Sequence, residues 1–131
     1  MRVAVDTNML VRLLVDDNTA QADAVERALQ NADRIVSSLP VLCELACVLR
    51  RSYGFNRQRI AEAMRGLVCT LGAEIGLPAF EAGMATLDRG GDFTDGAINH
   101  MAAQARCDLV LTFDQSSARI GGRVPVTLLT A

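Results

Sequence analysis

Short apolar segments that alternate with amphipathic helical segments are the feature that most constrains the fold of this chain. Residues 3–5, 34–36 and 108–113 have the length and the β-branched or aliphatic content of strands, and 108–113 is the clearest buried one. Strands that alternate with helices form parallel sheets covered by helices on both faces. The pattern predicts a three-layer α/β/α fold around a small parallel sheet of about four to five strands.

The rest of the chain continues this alternation. Helices are predicted at residues 8–15, from 19, at 38–53, from 56, at 78–87 and from 94 or 95, with further strands at 72–75 and 124–128 and a loop at 89–93. The 131 residues fit one domain, 1–131, and half of them are hydrophobic, which excludes a disordered chain.

The charge balance limits how the chain could bind a polyanion. Thirteen basic residues, all arginine, stand against fifteen acidic ones, for a net charge of −2. A nucleic-acid contact must therefore be local or assisted by a bound cation, because the chain has no general positive field. The lack of lysine excludes every mechanism that needs a lysine nucleophile, Schiff base or phosphate clamp.

The cysteines and the apolar segments indicate a cytoplasmic protein without a membrane span. Cys43 and Cys47 are one helical turn apart, which would suit two metal ligands, but no histidine is near them in sequence. We expect these two, Cys69 and Cys107 to be buried thiols outside disulfides, as in a reducing compartment. The most apolar helix, around residues 39–49, is interrupted by Glu44.

Three aspartates stand where a strand gives way to a helix or a helix begins. Asp6 follows the first strand, Asp95 opens a helix, and Asp114 follows strand 108–113. Aspartate is an ordinary N-cap residue, so each of them alone has a structural explanation.

Glu44 differs from these aspartates because helical neighbours surround it with apolar side chains. Its partners at three and four residues' distance are Pro40, Val41, Cys47 and Val48. A carboxylate in such surroundings would be desolvated, which is costly, unless its side chain extends to solvent or pairs with Arg51 two turns further on.

Considered together, the four acids indicate a cation site. The carboxyl ends of parallel strands lie at one edge of a sheet, so we expect Asp6, Asp95 and Asp114 to converge there. Converging carboxylates repel one another unless a cation neutralises them, and hard oxygen ligands suit Mg²⁺ or Mn²⁺. The chemistry that such a site supports is metal-assisted hydrolysis of a phosphodiester bond.

Four motifs carry a resemblance to a known family. They are Val-Asp-Thr-Asn at 5–8, Ser-Leu-Pro-Val-Leu-Cys-Glu-Leu at 38–45, Asp-Phe-Thr-Asp-Gly at 92–96 and Leu-Thr-Phe-Asp at 111–114. In this order and spacing they resemble the PIN domain over essentially the whole chain, and in particular the VapC-type toxins of bacterial toxin–antitoxin pairs. Each motif alone is weak, whereas four acids in four matching contexts are a strong signal.

The resemblance implies a metal-dependent ribonuclease that is often a homodimer and that a small antitoxin protein inhibits. It implies that the catalytic and metal-binding acids are Asp6, Glu44, Asp95 and Asp114. Supporting positions are Thr7, Asn8 and Thr112, where relatives carry polar residues that orient the acids, and Asp92, which would assist from the loop. Gly96 replaces the more usual alanine and is expected to loosen the helix start. A mean hydropathy of +0.23 is a separate reason to expect a homodimer.

Contacts to RNA are less well defined by the sequence. Arg12, on the helix after Asp6, is the best single candidate. Arg50, Arg51, Arg57, Arg59 and Arg65 form a basic corner that could bind phosphates or could be a solvated surface. His100 is placed too far along its helix to act as a general base.

Three other functions compete with a nuclease. A two-component receiver domain also clusters acids around Mg²⁺ but needs a lysine, which this chain lacks. A haloacid-dehalogenase-type phosphatase needs Asp-x-Asp after the first strand, whereas position 8 is asparagine. The remaining alternative is a catalytically silent module of the same fold that binds RNA or a protein.

Overall fold

The computed structural model describes residues 1–71 and 77–131, so the strand predicted at 72–75 lies outside the described residues. The chain divides into two compact units, Met1–Leu77 and Pro78–Ala131. Within the described residues, helices and strands follow each other largely as the sequence predicts.

The first unit contains two strands and four helices. In chain order these are β1 (Arg2–Ala4), α1 (Thr7–Leu14), α2 (Thr19–Leu29), β2 (Arg34–Val36), α3 (Leu39–Arg51) and α4 (Arg57–Leu71). β1 and β2 are parallel, with Val3 opposite Ile35. Helix α1 packs against α2 and α3, and α3 packs against α4.

The second unit contains the other two strands and three helices. They are α5 (Leu77–Asp88), of which the first residue belongs to the first unit, α6 (Phe93–Gln104), β3 (Val110–Thr112), α7 (Gln115–Ile120) and β4 (Val126–Leu128). β3 and β4 are parallel, with Leu111 opposite Thr127.

The predicted single sheet of four to five strands is wrong for the described residues, which form two parallel pairs, β1–β2 and β3–β4. The parallel direction is confirmed in both pairs. Alternation of strands and helices specifies direction, because each helix carries the chain back to the start of the next strand. The alternation does not specify how many strands belong to one sheet. Here each strand has only three residues, and the strands form two separate pairs.

Helix α3 shows how the sequence builds the core of the first unit. Ser38 stands at its N-cap and proline in its first turn, although the serine side chain makes no cap bond. Leu42, Leu45 and Leu49 recur at helical spacing and are almost completely buried. Each buried leucine contributes about 1.5–3 kcal/mol, so this face anchors α3. Gly54, at a φ of 67°, ends the helical region.

The core of the second unit depends on the close approach of α5 and α6. The rings of Phe80 and Phe93 lie 5.8 Å apart between centroids at a tilt of 56°. A Cβ atom on Gly83 would come within 2.5 Å of the Phe93 ring, so only glycine leaves room for it.

Some predicted burial is wrong. Strand β3 was expected to be buried, yet Leu111 is 58% exposed and Phe113, just after the strand, 71%. The cysteines form no disulfide, as expected, but Cys43 is half-buried, and the others, Cys47, Cys69 and Cys107, are exposed. Apolar composition alone does not decide which face of a short element is covered. None of the helices within the described ranges is long and apolar enough to cross a membrane.

Candidate functional site

Asp6 lies at the junction of β1 and α1, as the sequence predicts. It is the N-cap residue of α1, and its Oδ1 atom accepts a hydrogen bond from the Met9 amide at 3.3 Å. The side chain is exposed, and the bond engages only one of its two oxygens. Thr7, the next residue, is buried, whereas Asn8 is exposed. The N-cap role therefore leaves Oδ2 of Asp6 accessible to a ligand.

Glu44 does not lie in an apolar ring. The residue is exposed, and so are its helical neighbours Pro40 and Cys47, while Val41 and Val48 are half-buried. The prediction of a desolvated carboxylate is therefore wrong. The reason is geometric: α3 buries its leucine face at Leu42, Leu45 and Leu49, and Glu44 lies on the other side of the helix.

The surroundings of Asp95 raise the pKa of its carboxyl group. Asp95 stands in the first turn of α6 and is half-buried. Burial raises the pKa of Asp95, the negative charges of Asp92 and Asp114 raise this pKa further, and a hydrogen bond from the Ser117 side chain lowers it in part. These acids of the second unit are therefore within electrostatic reach of one another.

Asp114 follows β3 and starts α7. Its Oδ1 atom accepts hydrogen bonds from the amides of Ser116 at 2.8 Å and Ser117 at 3.3 Å. Its own amide donates to Thr112 Oγ1 at 3.0 Å. Thr112 thus holds the backbone of Asp114, whose side chain is exposed.

Asp92 holds the N-cap position of α6 without a side-chain cap bond and is half-buried. Asp95 is three residues further on in the same helix. Both carboxylates therefore lie at the positive end of the α6 dipole, which favours negative charge there.

Gly96, next to Asp95, allows α6 to approach α5. A Cβ atom at this position would lie 2.5 Å from the Ala82 carbonyl oxygen and 2.8 Å from the Gly83 Cα, both of them backbone atoms. This glycine thus has a packing role besides the expected loosening of the helix start. Its role is to permit a close helix–helix contact that sets the position of Asp95.

The predicted RNA-contact arginines differ in their surroundings. Arg12 is half-buried and donates hydrogen bonds to Asp17 and, at 3.1 Å, to the Tyr53 hydroxyl. Arg50 and Arg51 are exposed at the end of α3. A guanidinium already bound by a carboxylate is a weaker candidate for a phosphate than the sequence suggests.

The other members of the basic corner also differ. Arg59 is exposed and stacks over the Phe55 ring at 3.8 Å, whereas Arg57 is half-buried and Arg65 exposed.

Two features of the second unit are absent from the sequence-based prediction, one helix and one side-chain contact. One is α7, whose six residues are too few for a clear periodic pattern. The other is the contact between Ser117 and Asp95, which depends on the placement of that helix. Asp114 at its N-cap and Gly121 at its end are the signals that could have revealed α7.

The donor set fits a hard divalent cation in its chemistry. The candidate ligands are carboxylate oxygens, and the mutual repulsion at Asp95 is of the kind that a cation relieves. Among the described residues, no three His, Cys, Asp or Glu side chains are gathered closely enough to hold a metal by themselves. Mg²⁺ commonly uses only one or two carboxylates and completes its shell with water and substrate phosphate, so a smaller set suffices.

A family model supplies the identity that the geometry alone leaves open. The model of the PIN domain matches residues 3–123, which is most of the chain and spans both units. No curated protein matches the chain. PIN domains form a superfamily of nucleases that generally use divalent metal ions. The chain therefore belongs to the PIN-domain family.

Proposed function

We propose that this protein is a Mg²⁺- or Mn²⁺-dependent endoribonuclease that hydrolyses phosphodiester bonds in RNA. The observation that carries the proposal is the half-buried Asp95 carboxylate, which faces the negative charges of Asp92 and Asp114 in a chain of the PIN family. Retaining a charge in such a place lowers stability, which favours a functional reason for it.

In this proposal the acids Asp95 and Asp114 provide carboxylate oxygens for the cation. Ser117 donates to Asp95 and Thr112 accepts from the Asp114 amide, so both acids are oriented by hydrogen bonds. When bound, the cation supplies positive charge for the phosphate and activation of the attacking water. Asp92 assists as a further negative group beside Asp95.

Asp6 and Glu44 of the first unit are proposed as the remaining acids. Both carboxylates are exposed and retain oxygens that can accept a ligand. Their inclusion rests on the motifs at residues 5–8 and 38–45, which lie within the residues that the PIN-domain model matches, 3–123. Thr7 and Asn8 are proposed to hold the turn that carries Asp6.

We also propose that the protein is the toxin of a toxin–antitoxin pair and a homodimer. The support for the toxin is the similarity of the four motifs to VapC-type proteins, and the antitoxin protein is the corresponding partner. The support for the dimer is a mean hydropathy of +0.23. Light scattering at micromolar concentration tests the dimer, and a monomer there would contradict it.

Cleavage of a mixed pool of cellular RNA tests the enzymatic proposal. The purified protein is incubated with RNA in Mn²⁺ or Mg²⁺ and again with EDTA. We expect discrete fragments that disappear with EDTA and with an Asp6→Asn variant purified in the same way. The exposed Asp108 offers a matched control, since Asp108→Asn should cut as the wild type does.

Failure would have a definite meaning. Fragments that persist with Asp6→Asn would indicate a contaminating nuclease. RNA binding without cleavage, under every metal condition, would instead favour a catalytically silent RNA-binding module.

A further inference from the structure

The second unit contains a small pocket beside α6 that the proposed active site does not use. Its volume is about 200 Å³, and it is bordered by α5, by α6 and by the segment before β4. The residues that matter for its chemistry are Arg89, His100 and Arg123, which contribute cationic or hydrogen-bonding groups to its lining.

The pocket concentrates positive charge in a chain that carries a net charge of −2. Two of the thirteen arginines and the only histidine line it, and none of the described residues in its lining carries a carboxylate. Such a lining attracts an anion, because the described residues that form it bring guanidinium and imidazole groups together without a carboxylate among them.

The arginines keep donors available for a ligand. Arg89 donates one hydrogen bond, from Nη2 to the Gly121 carbonyl oxygen at 3.3 Å, which holds its side chain near the pocket. Arg123 is exposed, and within residues 1–71 and 77–131 its guanidinium makes no hydrogen bond or ion pair. A guanidinium presents five N–H donors in a planar fork that matches the oxygens of a phosphate group.

Small residues and one rigid contact keep the pocket open. The lining includes Gly96 and Gly122, and a Cβ atom on Gly122 would come within 2.5 Å of the Asn99 amide nitrogen. Asn99 itself is held on both sides of its amide, since it donates to the Val124 carbonyl at 2.8 Å and accepts from the Val124 amide at 2.9 Å. The floor of the pocket is therefore preformed.

The size selects among anions. Pockets for larger organic ligands usually exceed about 300 Å³, whereas one water occupies about 30 Å³ of liquid. A pocket of about 200 Å³ thus has room for a compact tetrahedral anion with a few waters.

We propose that this pocket, defined by Arg89, His100 and Arg123, binds a phosphate group. The guanidinium groups of Arg89 and Arg123 donate to its oxygens, and His100 provides a further nitrogen from α6. The phosphate is either inorganic or part of an RNA strand, and the experiment distinguishes these two sources.

The test uses the full chain in EDTA, so that the cation site is empty and cleavage plays no part. Inorganic phosphate is titrated at constant ionic strength while NMR follows the backbone amides of Gly96 and Gly122 and the Asn99 side-chain amide. We expect saturable shifts at these groups. Loss of one charge-assisted contact in Arg89→Gln or Arg123→Gln should weaken binding by about fivefold or more.

A matched control separates a built site from general charge. Arg119 is an exposed arginine of the same unit that does not line the pocket, so Arg119→Gln should bind phosphate as the wild type does. Unsaturable shifts, or equal weakening by Arg119→Gln and Arg123→Gln, would overturn the proposal. Amide spectra that keep their dispersion in each variant show that the fold is retained.

A second arm identifies the source of the phosphate. A short oligoribonucleotide that displaces inorganic phosphate from the pocket indicates an RNA phosphate, and one that leaves the phosphate shifts unchanged indicates the free ion. Because this measurement needs neither metal nor cleavage, its failure would not affect the nuclease proposal, and failure of the nuclease proposal would not affect the pocket.

Discussion

The Ser117 side chain donates a hydrogen bond to the Asp95 carboxylate, which links α7 to the first turn of α6. Ser117 also donates its amide to Asp114. One serine therefore contacts both acids that we propose as cation ligands in the second unit. The arrangement holds two like charges in fixed orientations although they repel each other.

The charge of Asp95 should lower the stability of the metal-free protein at neutral pH. Its pKa is raised in the folded state, so the folded chain binds more protons than the unfolded chain between the usual carboxyl pKa and the raised one. The contribution of Asp95 to the free energy of unfolding is therefore fully present below the usual carboxyl pKa. It is lost as the pH rises through the raised pKa.

The Asp95→Asn variant tests this charge effect, since asparagine can still accept from Ser117 but cannot ionise. In EDTA we expect its Tm to exceed that of the wild type at pH 7, with the difference shrinking toward pH 3. Thermal unfolding followed by circular dichroism measures the difference. A gain that does not change with pH would contradict this electrostatic explanation.

Glu44→Gln should separate activity from stability. Because Glu44 is exposed, we expect the free energy of unfolding to change by less than about 0.5 kcal/mol. If Glu44 binds the cation, RNA cleavage should fall by about tenfold or more. Urea unfolding and a cleavage time course measure the two effects.

Glu81→Gln, at another exposed glutamate, is the matched control for Glu44 and should affect neither quantity. Full cleavage activity in Glu44→Gln would remove Glu44 from the proposed site.

Gly96→Ala should destabilise the second unit although alanine favours helices. The added Cβ would meet the Ala82 carbonyl oxygen and the Gly83 Cα, which cannot move without shifting α5. Overpacking of this kind costs about 1–3 kcal/mol. The displacement of α6 should also reduce cleavage, because Asp95 is the neighbouring residue.

Gly66→Ala provides the contrast within α4, because no other described part of the chain lies within 4 Å of its Cβ position. Here we expect a gain of up to about 1 kcal/mol. Urea unfolding measures the change in the free energy of unfolding in both variants. Changes of the same sign would show that the close contact at Gly96 does not determine the effect of the added methyl group.

Asn99→Leu should leave two backbone groups of Val124 without partners. Asn99 is 7% exposed and exchanges two hydrogen bonds with the Val124 backbone. An unsatisfied buried group costs about 1–3 kcal/mol, so we expect a loss of about 2 kcal/mol or more.

Gln104→Ala on the exposed side of the same helix is the control and should change the free energy of unfolding by less than about 0.5 kcal/mol. Equal losses in Asn99→Leu and Gln104→Ala would mean that the contact with Val124 contributes little.

The sequence predicts the elements better than it predicts their surroundings. β2 has the predicted bounds, Arg34–Val36, and Asp6 and Asp114 follow strands as expected, because β-branched runs and N-cap aspartates are local signals. The exposure of Glu44 depends on which side of α3 faces its neighbours. The spacing of residues along a helix identifies a residue's neighbours on that helix, but it does not show which other helices or strands pack over them.

The site was predictable only in part for the same reason. Four acids in family-like contexts can be recognised one motif at a time. The hydrogen bond from Ser117 to Asp95 and the lack of space for a side chain at Gly96 both arise from contacts between different helices. Neither has a periodic or compositional signature.

Calorimetric titration of Mn²⁺ into the metal-free protein tests the central claim most directly, because it asks whether the carboxylates around Asp95 bind a cation. The wild type and the control Asp108→Asn should bind Mn²⁺ alike, and Asp95→Asn should bind about tenfold more weakly or worse. No binding by the wild type, or equal binding by Asp95→Asn, would contradict the account.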